Sequence, residues 1–229
     1  TTEIYTLSLH DALPIFKGKR VSITRFGSAG HWAFQLFVKK WGMRPEDFQL
    51  VQLDASPAMF ANLEKGGTEG AVLTMPSFFV AEEKGFRTLA DPAEMDLYYL
   101  QNSVDSTRSY LKAHRAQAIR FARGLMEGIA YFKKYKKESV EVLQKKLRIQ
   151  SAQEKDLKYL ELSYNLLVTK YYNPTLVANP KAVETSLEFI AATEPKARGA
   201  DAKVFVDESI IKEIEASGFI RQLYEGEYR

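Results

Sequence analysis

The chain has 229 residues, with 32 Lys and Arg against 29 Asp and Glu for a formal charge of +3, and it is 45% apolar and 12% aromatic. That composition belongs to an ordinary globular protein with ample core, and the charge is too mild to mark a nucleic-acid binder, which gathers basic residues on one face with aromatics between them. The lack of cysteine excludes disulfides, thiolate nucleophiles and Cys-ligated zinc or iron–sulfur centres, and no apolar run reaches the ~18 residues of a membrane-spanning helix.

Residues 1–15, TTEIYTLSLHDALPI, carry no Lys or Arg, whereas the rest of the chain carries all 32. One set of codons for this stretch resembles a widely used short-read sequencing adapter read in one frame, and the adapter's next base fits the codon of Phe16. A strand over TLSL followed by a turn is the alternative. The segment is set aside as artefactual, as tags and fusion scars are, and the natural product is expected to begin upstream of Phe16. Without Glu3 and Asp11, 27 acidic residues face the 32 basic ones and the net charge is +5.

After a basic lead-in, RVSIT predicts a strand over 20–24 running into a Gly-Ser turn. AGHWAFQLFVKKWG then predicts a helix stopped by Gly42, with Pro45 three residues on. The unit repeats: a strand over 48–53, then the helix PAMFANLEK with Ser56 as N-cap, Pro57 in its first turn, and Gly66 and Gly67 after its end. A third round has a strand over 70–75 and a helix over 76–85, and FRTLA, 86–90, predicts a closing strand. Strands alternating with short helices point to a parallel α/β sheet covered on both faces.

Beyond Asp91 the pattern changes. YYLQNSV, 98–104, fits one more strand, and all that follows fits helix. A long amphipathic helix spans 114–136 and a shorter one 138–147. Ser151 and Glu154 form a capping box ahead of a helix bearing Leu157, Leu160, Tyr164, Leu167 and Val168. Asn179 and Pro180 open a helix to about 192, and Asp207 opens a last one ending at Gly218. Helices with broad apolar stripes need a partner surface, either one another or a sheet built by another segment.

The stretches FKGKRVSITRFGSAGHWAFQLFVKKWGM and GGTEGAVLTMPSFFVAEEKGFRTLAD resemble the ABC-importer solute-binding proteins of the nitrate, sulfonate and taurine group, whose superfamily includes a thiamine-pyrimidine-synthesis-like branch. STRSYLKAHRAQAIRFARGLMEGIAYFKKYKKESVEVL and DAKVFVDESIIKEIEASGFI are similar to that group's C-terminal half. The resemblance implies a periplasmic-binding-protein-like fold of type II, two α/β lobes that close on a ligand. It makes 16–97 the second α/β lobe and 98–229 a mainly helical return segment of the first lobe, whose opening portion is absent.

The residues themselves offer candidate ligand contacts, each with a competing role. Ser28 opens the first helix in FGSAGH, where unpaired N–H groups and the positive end of the helix dipole favour an anion; it equally serves as the N-cap. Ala29 and Gly30 would add backbone donors. Arg25 supplies charge from the same loop or is solvated, and His31 donates to a ligand or packs beside Trp32. Asp54 and Ser56 end the second strand, on the edge where open parallel sheets bind ligands, with Ser56 also wanted as an N-cap. Thr74 and Met75 end the third strand on that edge; Met75 equally fits the core.

No Gly-x-Ser-x-Gly elbow, phosphate loop or His-Glu-x-x-His is present. The reading is a transport receptor, not an enzyme, with no cofactor and no metal. Its implied partners are a small solute (sulfonate, nitrate, taurine or pyrimidine-like) and ABC permease membrane subunits. The resemblance further implies a periplasmic or lipid-anchored monomer that binds no nucleic acid. The alternative is a biosynthetic enzyme of thiamine-pyrimidine or menaquinone type on the same fold.

Overall fold

The computed structural model describes residues 16–92, 95–147, 149 and 154–225. The adapter-like segment 1–15 and Ser151 of the predicted capping box lie outside the described residues. The chain divides after Gln101 into two units.

In the first unit, β1 (Arg20–Ile23), β2 (Gln49–Gln52) and β3 (Gly70–Ala71) form a parallel sheet in the order β2-β1-β3. Val21 aligns with Leu50 on one side and with Gly70 on the other. The central strand is buried at Val21, Ser22 and Ile23, as a parallel strand flanked by neighbours should be. α1 (Ala29–Lys40) lays Phe34 and Val38 on Val21, Ile23 and Phe48, with Phe34 edge-on to Phe48 at 5.2 Å and 87°. The predicted stop holds. Gly42 at φ 70° lets its own N–H reach Lys39 O and that of Met43 reach Val38 O, and Met43 packs on the same cluster. α2 (Ser56–Glu64) and α3 (Ser77–Glu83) complete the unit.

Three expectations are corrected here. The third strand is Gly70–Ala71, not 70–75: Val72 still donates to Ser22 O, but Thr74 N–H turns away to the Ser56 side chain, and Pro76 has no N–H to offer a ladder. No strand forms over 86–90, because Phe86 ends α3 instead, its N–H on Ala81 O and its ring edge-on to Phe60 at 6.0 Å. No strand forms over 98–104 either; no neighbouring strand among the described residues offers that segment a ladder.

The second unit is helical: α4 (Arg108–Ala113), α5 (Arg115–Lys134), α6 (Lys136–Lys146), α7 (Glu154–Leu166), α8 (Pro180–Ile190), α9 (Ser209–Ala216) and α10 (Phe219–Glu225). Met126 and Ala130 of α5 pack with Ile210 and Ile214 of α9 and Leu223 of α10. At the rim of that cluster the Arg115 guanidinium donates to Glu213 at 2.8 Å and to Ser209 at 3.1 Å. Further along α5, Phe132 stacks near Tyr164 at 5.1 Å, whose hydroxyl donates to Lys133 O. The last predicted helix is corrected too. Asp207 does open α9 by accepting Ser209 N–H, but Gly218 at φ 76° is a joint, after which α10 continues.

Candidate functional site

Because β1, β2 and β3 run parallel, their C-terminal ends and the helix starts that follow share one edge, made of residues 24–31, 53–57 and 72–77. The ladder persists onto this edge: Leu53 donates to Ile23 O at 3.0 Å and Asp54 to Thr24 O at 2.9 Å.

Ser28 caps α1, and its hydroxyl is spent locally. Oγ accepts His31 N–H at 3.3 Å, donates to Arg25 O at 2.7 Å and lies 2.8 Å from Thr24 Oγ1, which must then be the donor. The open donors are elsewhere. The N–H groups of Ala29 and Gly30, in the first turn of α1, have no acceptor among the described residues. Arg25, exposed in the same loop, has no acidic partner among the described residues.

His31 turns inward on this loop. Its Nδ1 accepts Gly27 N–H at 3.0 Å, which requires that nitrogen to be unprotonated. Burial lowers the imidazole pKa below 6.5. The Phe26 ring meets it edge-on at 5.2 Å and 80°.

Asp54, exposed at φ 53°, sits in the left-handed region that Asp tolerates better than most residues. It accepts Gln52 Nε2 at 3.4 Å, while Gln52 Oε1 accepts Phe26 N–H at 3.3 Å, so one amide ties the first two loops together. Ser56 corrects the sequence reading. It is the first residue of α2, Ala55 holds the cap position, and the Ser56 hydroxyl accepts Thr74 N–H at 2.7 Å and Thr74 Oγ1 at 3.1 Å. A side chain expected to cap its own helix instead braces the second loop against the third. Met75, half-buried, follows Thr74 on this edge.

Three residues of the edge escaped the sequence reading: Thr24, Phe26 and Gln52. Thr24 stands four residues before Ser28, a spacing that signals a hydroxyl pair only once the turn is known. Gln52 is the exposed end of β2, where an amide can reach across a strand end. Glu69 belongs to the opposite edge, just before β3. There it takes the backbone N–H and guanidinium of Arg20 at 2.9 and 2.6 Å, which pulls its carboxyl down to about 2.

Among the described residues no group of three or more His, Asp or Glu side chains is placed to hold a metal ion, and no helix is long and apolar enough to cross a membrane. Among the described residues the edge offers two free backbone donors at a helix start, an unpaired guanidinium and the Asp54 carboxylate, which is recognition chemistry for a small polar molecule.

No family model and no curated protein matches this chain. Among solved structures it is similar to the periplasmic sulfonate-binding protein SsuA of a sulfonate ABC transporter from Methylobacillus flagellatus KT, at 16% identity and a TM-score of 0.57. The alignment covers 90% of this chain and 63% of that one, so the chain spans less than two thirds of the solved protein. At this identity the likeness is one of fold. The chain has an α/β, periplasmic-binding-protein-like fold, with a small parallel sheet followed by helices.

Proposed function

We propose that this chain is the solute-binding component of an ABC importer, capturing a small anion of the sulfonate, nitrate or taurine type and delivering it to a membrane permease outside the cytoplasm. The observation that carries the reading is the pair of open N–H groups at Ala29 and Gly30 beside the unpaired Arg25, on the strand-end edge of a fold shared with a sulfonate-binding protein. In this reading 16–97 is one α/β lobe and presents the anion site, 98–229 belongs to the other, and closure of the lobes holds the solute. The protein acts as a monomer and needs no cofactor.

The edge suits holding better than chemistry. The Ser28 and Ser56 hydroxyls are engaged within the fold, and His31 Nδ1 is taken by a backbone N–H, so neither serine has a free base beside it. Calorimetric titration of the protein with methanesulfonate, nitrate and taurine tests the proposal. Saturable binding of at least one, weakened tenfold or more by Arg25→Ala, is expected; binding of none would overturn it.

A further inference from the structure

The loop between β1 and α1 is pinned at three points, which differ in what can undo them. Ser28 ties its ends together, its N–H reaching Arg25 O at 3.2 Å and its hydroxyl donating to the same oxygen at 2.7 Å. Phe26 N–H is held by the Gln52 side-chain oxygen at 3.3 Å. Neither point contains a group that titrates near neutral pH. The third does: Gly27 N–H is held by Nδ1 of His31 at 3.0 Å. Gly27 itself has φ 75° and nothing within 4 Å of where a Cβ would stand, so the peptide has both the freedom and the room to turn.

The setting of the His31 ring penalises its cation. A proton on Nδ1 would set two N–H groups against each other. The ring lies in the first turn of α1, at the positive end of the helix dipole, and that turn holds no acidic residue. The ring is also half-buried, which lowers its pKa below 6.5. Charged side chains of the surrounding elements offer no relief. Arg25 in the loop is itself a cation, Asp54 at the end of β2 binds Gln52 Nε2 at 3.4 Å, and the third loop, 72–77, carries no charge. On the far side of the ring, Nε2 lies 3.4 Å from the Gln35 side-chain amide, which has to turn its oxygen toward the Nε2–H of the neutral ring and keeps that bond in the cation. Protonation therefore breaks one contact, the one to Gly27.

We infer that His31 is an acid-operated latch on this loop. A proton taken up from solvent at Nδ1 expels the Gly27 N–H, the chain turns about Gly27, and Phe26, 59% exposed and edge-on to the imidazole at 5.2 Å, swings off the ring while the Ser28 cap and α1 stay in place. The strand-end edge thus has two shapes, selected by pH within a folded unit. The latch needs no ligand, and its failure would leave the proposed function untouched. Nuclear magnetic resonance of the full chain from about pH 4.5 to 7.5 tests it. The neutral His31 ring should be the Nε2–H tautomer, and the Gly27 amide resonance should shift with the same midpoint as the ring, below 6.5. From one pH unit above that midpoint to one below, the cationic fraction rises from about a tenth to about nine tenths, so Gly27 exchange, corrected for its intrinsic rate, should quicken about tenfold. The Ser28 amide and the far-ultraviolet circular dichroism should hold steady across the step. His31→Asn places an untitratable acceptor near the Nδ1 position and should keep Gly27 protected throughout. An Nδ1–H tautomer at neutral pH, separate midpoints for Gly27 and the ring, or the same Gly27 transition in His31→Asn overturns the inference. Loss of the Ser28 amide and of the dichroism in the same step overturns it too, because the unit would then be unfolding as a whole.

Discussion

Replacing Ser56 with Ala separates the brace seen in the structure from the helix cap expected of the sequence. Ser56 is 8% exposed, and its Oγ accepts both the N–H and the hydroxyl of Thr74. Truncation removes two hydrogen bonds and leaves the Thr74 N–H without its acceptor. An unsatisfied buried donor costs ~1–3 kcal/mol, but Thr74 lies at an exposed position where water restores part of that, so a loss of about 1–1.5 kcal/mol is expected. For a chain of this size that corresponds to a fall in Tm of about 2–6 °C. Urea titration followed by circular dichroism measures it. Thr74→Val removes only the hydroxyl half of the brace. The double variant should therefore cost less than the two single changes summed, by about 0.5 kcal/mol or more. Ser56→Asp distinguishes the roles from the other side: a cap accepts Asp as readily as Ser, whereas this site would have to bury a charged carboxylate. Additive costs for Ser56→Ala and Thr74→Val, together with a neutral Ser56→Asp, would refute the brace.

Two pH effects and one core substitution follow from the same geometry. Glu69 has its folded pKa drawn from 4.5 to about 2 by Arg20, so its contribution is complete above 4.5 and is lost as pH falls toward 2. Glu69→Gln should flatten the acid limb of a stability-against-pH curve over that window; an unchanged limb would show the pair to be idle. Burial lowers the His31 pKa below 6.5, so the neutral ring stabilises the fold above 6.5 and the contribution declines as pH drops below that value, when Nδ1 can no longer accept Gly27 N–H. Melting temperatures from about pH 5 to 7.5 should show this decline, and His31→Leu should remove it. Phe34→Ala, at a 4%-exposed position packed on Phe48, should cost about 3–5 kcal/mol by chemical denaturation.

What could be read in advance depended on how far each signal reaches along the chain. β1, α1 and the Gly42 stop were legible because strand, cap residue and left-handed glycine lie within one short window, and each settles its own part. GAVLTM looked like a full strand because nothing within those six residues reveals that Thr74 N–H is claimed by Ser56, eighteen positions earlier. FRTLA failed for a related reason. An apolar residue after Gly85 serves a strand start and a helix terminus equally well, and the contact of Phe86 with Phe60 decides for the latter. The candidate edge shows the same division. Small residues at helix starts after parallel strands pointed to the strand-end edge, but not to which of its atoms remain open. That is a matter of distances of a few tenths of an ångström: the Ser28 hydroxyl, the natural candidate by residue type, is consumed by Arg25 O and Thr24, and the opportunity passes to the N–H groups of Ala29 and Gly30. Side-chain identity therefore located the edge, while hydrogen-bond competition assigned its donors.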